Sequence, residues 1–218
     1  MELEQQYEMG LGIYDSPVLI PSSWDERLAR LVSDVFCPPT LAAGSILLTA
    51  YSLATPAAWR WALYYLTLVV LVPTLYVVWL LQRGEVTDFH LRVREQRIKP
   101  MIVMVVTVIS AWLTMWWGGA PDFLLMMAGA GMALMGLIFA VTLRWKISGH
   151  AAASSGFFAL SWVLMGQAAA PVALLMPVVA WSRVKLRRHT ISQIIAGSIV
   201  GPAIFIGTLF LFILKLFS

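Results

Sequence analysis

Residues 101–117 read Met101-Ile102-Val103-Met104-Val105-Val106-Thr107-Val108-Ile109-Ser110-Ala111-Trp112-Leu113-Thr114-Met115-Trp116-Trp117. No charged side chain interrupts the run. It is followed by Gly118-Gly119-Ala120-Pro121-Asp122, whose glycines and proline are turn chemistry. A second apolar run begins at once, and further runs lie on both sides. A membrane-crossing helix needs roughly 20 apolar residues. The chain is 60% hydrophobic and 12% charged, with a mean hydropathy of +0.82. A soluble domain of 218 residues has too little interior for that many apolar side chains, whereas a bilayer supplies an apolar solvent. The expected fold is all-α: a polytopic transmembrane helix bundle of six to seven spans, preceded by an interfacial helix.

The apolar pattern places spans at about 40–55, 57–82, 101–118, 122–143, 150–168, 170–184 and 190–216. The breaks fall at Thr55-Pro56, Gly118–Asp122 and Ala170-Pro171. The sixth span is short, about 21 Å at 1.5 Å per residue. The first is short too, starts after Pro38-Pro39, and has the length of a half-span. Ahead of it, Ser23 through Glu26 has the spacing of a capping box. Leu28, Leu31, Val32, Val35 and Phe36 share one helical face, and Trp24 suits a headgroup interface. Residues 1–36 therefore read as an N-terminal segment with an amphipathic interfacial helix over 24–36, or equally with an N-terminal extension of the first span there, and 37–218 as the transmembrane domain. Gly129, Gly131, Gly136 and the Gly197-x-x-x-Gly201 pair read as close-packing positions between helices.

The net charge of +4 and pI near 9.5 suit phosphates or anionic lipid surfaces. No basic run carries interleaved stacking aromatics, which excludes nucleic acid as a partner. Cys37 is the single cysteine, so no internal disulfide forms. The acidic start, Met1-Glu2-Leu3-Glu4, lacks the basic n-region of a cleaved signal peptide.

Most of the charge is concentrated in three segments, 83–99, 144–150 and 182–189, and these hold all three histidines. An even number of crossings separates each from the next, so all three meet at one membrane face. They read Asp88-Phe89-His90-Leu91-Arg92-Val93-Arg94-Glu95-Gln96-Arg97, then Arg144-Trp145-Lys146-Ile147-Ser148-Gly149-His150, then Ser182-Arg183 through His189 and on to Gln193. Basic residues at a loop are ordinarily topology markers. Histidines at successive span entrances are not. Arginines with imidazoles suit phosphoryl chemistry: guanidinium groups hold the phosphate oxygens, one imidazole attacks phosphorus and another protonates the leaving oxygen.

The three segments resemble the signature of the type 2 phosphatidic acid phosphatase superfamily: Lys-x6-Arg-Pro, Pro-Ser-Gly-His and Ser-Arg-x5-His-x3-Asp. The third part is matched by Ser182-Arg183, His189 and Gln193, the second by Ile147-Ser148-Gly149-His150, and the first best by His90 and Arg97, with Arg92 and Lys99-Pro100 as an alternative register that swaps the two basic residues. The match covers about residues 88–201, roughly half the chain. It departs where His90 replaces lysine, Ile98 and Ile147 replace prolines, and Gln193 replaces aspartate. Ser-Gly-His alone carries little weight; the ordered triple is more specific.

The resemblance implies a metal-independent phosphatase acting on a lipid phosphate, without a cofactor. It implies that His189 is the nucleophile, that His150 is the general acid, and that Gln193 holds the His189 ring. Gln193 lies four residues after His189, one helical turn on. It implies that Arg97, Arg183, Ser148 and the Gly149 amide hold the phosphate with His90, and that Arg94 or Lys146 compensates for the family lysine. Asp88 reads as an orienting partner for an arginine or His90, or as a plain loop acid. The expected partners are the lipid phosphate substrate and membrane lipids, with the oligomeric state open. A non-catalytic lipid-phosphate-binding protein and a lipid phosphotransferase are the alternatives. A transporter agrees with the hydropathy but does not explain the histidine spacing. Arg27, Arg30 and Arg83 share the face of the three segments, against Arg60 and Lys215 opposite. The positive-inside rule then makes that face cytoplasmic, although members of the resembled family more often face outward.

Overall fold

The computed structural model describes residues 23–87, 96 and 98–217. Among the described residues the chain is helical throughout, with no strand. We number the helices α1 (Trp24–Val35), α2 (Pro38–Leu53), α3 (Pro56–Leu66), α4 (Val72–Gln82), α5 (Ile98–Trp117), α6 (Asp122–Thr142), α7 (Gly149–Met165), α8 (Leu175–Lys185) and α9 (Ile191–Phe217).

Local chemistry explains most of the boundaries. Thr55 caps α3, its side chain accepting from the Ala58 amide at 3.2 Å, with Pro56 in the first turn. A π-helical turn, Thr67–Leu71, joins α3 to α4. It sits just ahead of Pro73, whose ring lacks an N–H and would crowd the carbonyl four residues back. Gly119, at φ +73°, supplies the left-handed turn between α5 and α6.

Five helical runs are long and apolar enough to cross a membrane, and α1 with α2, bent by 47°, passes the same test only when the two are taken as one broken span. One of the five is the 37-residue run Gly149–Lys185, and it is not straight. Gly166 takes φ 58° and ψ −134° at the end of α7. His150, at the start of the run, and Arg183, near its end, both bond Ser33. A straight run would hold them about 50 Å apart. The chain therefore doubles back at Gly166, and α8 packs antiparallel on α7. The turn is at Gly166 and not at Ala170-Pro171. Pro171 lies inside a 3-10 segment, Gly166–Leu174, that leads into α8. Because a 3-10 helix rises about 2.0 Å per residue, this returning leg reaches about 34 Å, longer than the expected 21 Å.

With that run folded back on itself, the apolar helical legs among the described residues are α2, the α3–α4 rod, α5, α6, α7, the 3-10 segment with α8, and α9. The surface is that of a membrane protein. Val106, Ile109, Trp116, Trp117, Ile199, Ile206 and Phe210 all face outward. The core between the helices is built from small and medium residues such as Ala50, Ala58, Ala62, Ala111, Met115 and Leu124.

α1 lies at the end where α2, α7 and α9 begin. It carries five charged residues in 12 and spans only about 18 Å, so it does not cross. Trp24, Leu28, Leu31 and Val35 form its exposed apolar stripe, while Ala29 and Ser33 are fully buried against α8. Ser23 occupies the N-cap position but makes no side-chain capping bond. Its expected capping box is not formed: the Glu26 amide bonds the Asp25 carboxylate at 3.0 Å instead.

Candidate functional site

The 144–150 and 182–193 segments come together through backbone geometry before any side chain is considered. α9 makes its most extensive contact with α7. The closest approach is at Gly197 and Gly201. A Cβ on Gly197 would collide with the Ser148 carbonyl, and one on Gly201 with the Ala152 carbonyl. With both positions bare, the start of α9 lies against the start of α7. The Ser148 amide then donates to the Gln193 carbonyl at 3.2 Å. Gly136, by contrast, has nothing within 4 Å of a built Cβ and is not a packing position.

The five-residue spacing between Arg183 and His189 has a mechanical reason. α8 ends in a Schellman motif: the Arg188 amide bonds the Arg183 carbonyl at 3.0 Å and the Arg187 amide bonds the Val184 carbonyl at 2.9 Å. Arg187 takes the left-handed position, φ 51°. The turn delivers His189 immediately ahead of α9.

Thr190 and Gln193 form a capping box at that helix start. The Gln193 amide donates to Thr190 Oγ1 at 3.4 Å, and Gln193 Oε1 accepts from the Thr190 amide at 3.3 Å. His189 Nδ1 lies 3.0 Å from the same Oε1. His189 therefore precedes the helix. Its partner reaches it through the capping box, not along a shared helical face as the spacing suggested. The arrangement also sets the tautomer. A backbone N–H only donates, so the amide atom facing Thr190 is the oxygen, and His189 Nδ1 must carry the proton. In the neutral ring Nε2 then holds the lone pair.

Ser148 caps α7, with its Oγ accepting from the Ala151 amide at 3.3 Å; it is fully buried. Gly149 opens the helix, where unpaired amides favour an anion. His150 Nε2 bonds the Ser33 carbonyl at 3.2 Å. Arg183 is 5% exposed and donates from Nη1 to Ser33 Oγ at 2.6 Å. His150, Arg183, His189, Gln193, Ser148 and Gly149 thus gather at one end of the bundle. Lys146 is exposed in the loop before them. Asp88, His90, Arg94 and Arg97 lie outside the described residues.

Two features were missed in the sequence. Ser33 is a single small polar residue on the face of α1 opposite its apolar stripe, and nothing in its neighbourhood marks it. The Thr190-x-x-Gln193 capping box was legible but was absorbed into the histidine spacing.

Below the site lies an apolar cavity of about 170 Å³. Pro38, Gly149 and Ile138 line its upper end, and Tyr65, Met127 and Phe205 line it deeper in the bundle. Among the described residues no group of three His, Cys, Asp or Glu side chains is placed to share a metal ion.

The fold and site define a polytopic helical membrane protein with a histidine–arginine cluster at one end. Compared with known proteins, the chain matches no family model, no curated protein and no solved structure.

Proposed function

We propose that this protein is a lipid phosphate phosphatase embedded in the membrane. It hydrolyses a phosphomonoester or diphosphate of a glycerolipid or isoprenoid through a phosphohistidine. The observation that carries the reading is the His189 ring. Gln193 holds it by Nδ1, which makes Nε2 the attacking nitrogen in this reading, at the end of the bundle that also bears His150 and the buried Arg183. The resemblance of the three segments to the type 2 phosphatidic acid phosphatase signature supports the same reading.

In this mechanism a bond forms from His189 Nε2 to phosphorus as the ester oxygen leaves, and His150 gives that oxygen a proton. Water then attacks phosphorus, its proton passes to His150, the N–P bond breaks and inorganic phosphate departs. Arg183 and the amides at the start of α7 balance the charge on the equatorial oxygens. Arg97 joins them by the resemblance. The apolar cavity next to Gly149 gives part of the hydrocarbon tail a place among the helices. The active-site face is the cytoplasmic one by its excess of basic residues.

The second reading is a non-catalytic lipid-phosphate-binding protein. It is favoured by the glutamine at position 193, which cannot stabilise an imidazolium as a carboxylate does. A phosphate-release panel on phosphatidic acid, phosphatidylglycerol phosphate and polyprenyl phosphates, with acid-labile, alkali-stable label trapped on the protein, separates the two. Release together with trapped label on His189 supports the phosphatase. Binding of these lipids with neither release nor label supports the alternative.

A further inference from the structure

We propose that Ser33 of α1 is a positioning residue of the phosphate site: its hydroxyl aims the Arg183 guanidinium, and its carbonyl holds the His150 ring by Nε2. The inference rests on the reading of this cluster as a phosphate site, and it assigns the N-terminal interfacial helix to that site.

The behaviour of the hydroxyl is the first argument. Many helical Ser and Thr hydroxyls elsewhere in the bundle donate back to their own helix. Ser45 bonds the Leu41 carbonyl, Thr49 that of Ser45, Ser161 that of Phe157 and Thr208 that of Ile204. Ser33 instead receives Arg183 Nη1 at 2.6 Å, across 150 residues of sequence. Both partners are buried, Ser33 fully and Arg183 to 5% exposure. A charge-assisted bond in that setting fixes the plane of the guanidinium, and so where its remaining N–H groups point.

The carbonyl is the second. Ser33 lies in the last turn of α1, where carbonyls have no amide of their own helix to receive. The Phe36 amide takes the Val32 carbonyl at 3.0 Å, and the Ser33 carbonyl receives His150 at 3.2 Å. A carbonyl only accepts, so His150 Nε2 carries a proton and Nδ1 is the nitrogen left to exchange one. Each histidine is then held through one nitrogen by an oxygen, Gln193 Oε1 for His189 and the Ser33 carbonyl for His150, and the other nitrogen is the one this reading assigns to the chemistry. A second link joins α1 to the helix that bears Arg183: Asp25 pairs with Lys185 on α8.

The test uses full-length protein in lipid nanodiscs and two readouts. The first is orthovanadate affinity, measured by calorimetry for wild type, Ser33→Ala, Ser33→Thr and Arg183→Lys. Loss of a bond to a charged group predicts that Ser33→Ala weakens vanadate binding by about tenfold or more. Threonine should restore it to within about threefold, and Ser33→Ala should add little on an Arg183→Lys background. If Ser33→Ala does not fold, Ser33→Cys, close in volume and a poor acceptor, is expected to show the same loss. The second readout is 15N NMR of histidine-labelled protein, in which neutral His150 should be protonated at Nε2. Unchanged vanadate affinity in both the alanine and cysteine variants, or a His150 protonated at Nδ1 alone, overturns the inference. A wild-type protein that binds vanadate but releases no phosphate refutes the phosphatase reading and leaves Ser33 in place. A wild type that binds no vanadate refutes both.

Discussion

The backbone amide of Ser148 donates to the carbonyl of Gln193 at 3.2 Å, joining the loop ahead of α7 to the first turn of α9. That bond needs the two helices in close contact, and the bare Cα of Gly201 permits it. Gly201→Leu is expected to lower the melting temperature and abolish phosphate release, since even the first added carbon meets the Ala152 carbonyl. Gly207→Leu, where nothing lies within 4 Å of a built Cβ, should leave both unchanged. Thermal unfolding and activity of the two variants in detergent check this.

His189→Ala and His150→Ala are each expected to remove nearly all phosphate release while the protein elutes as wild type in gel filtration. Only His150→Ala should still accumulate label on His189 from a substrate with a good leaving group, because that substrate needs no proton to depart. Near-wild-type turnover in either variant would sink the assigned roles.

Gln193 serves two bonds with one oxygen, so its substitutions separate capping from chemistry. Gln193→Ala loses the capping box and should cost about 1 kcal/mol of stability along with most activity. Gln193→Glu keeps an acceptor at the same reach and adds charge beside His189. It should retain activity or raise it by roughly tenfold or less. A glutamate variant that folds but is inactive would show that position 193 does something other than hold the ring.

The Lys185 ammonium bonded to Asp25, with help from Ser23, draws the Asp25 carboxyl from 3.8 down to about 2. A depressed carboxyl stabilises the docked state above its unfolded value and loses that contribution as pH falls through the folded one. α1 should therefore stay docked on α8 at pH 4 and loosen toward pH 2. Spin labels at positions 28 and 184, both exposed, in a Cys37→Ser background should give a distance distribution that broadens only at the acid end. Asp25→Asn should broaden it at neutral pH, and a narrow distribution in that variant would show that the ion pair does not hold α1.

The charge count across the bundle expects the site face inside the cell. In a Cys37→Ser protein with cysteine at Gln82, which is exposed at the end of α4, an impermeant maleimide should react only after lysis. Labelling of intact cells would reverse the orientation.

The apolar helices, and the common end at which residues 144–150 and 182–193 meet, were legible because bilayer physics acts locally. About 20 apolar residues and a break are visible in any window of the chain, and the parity of crossings does the rest. The same holds for the pairing of His189 with Gln193, although the capping box that creates it was read as helical spacing. The turn at Gly166 was hidden because a proline five residues on gave the stronger signal. A 3-10 segment accommodates that proline without turning there. Ser33 was decided by tertiary structure alone. Its hydroxyl and carbonyl matter only because α1 docks on α8 and meets Arg183 and His150, residues more than 100 positions away. Local pattern encodes which side chains face lipid. Which small polar group meets a buried guanidinium depends on how helices far apart in sequence dock, and no short-range spacing records that.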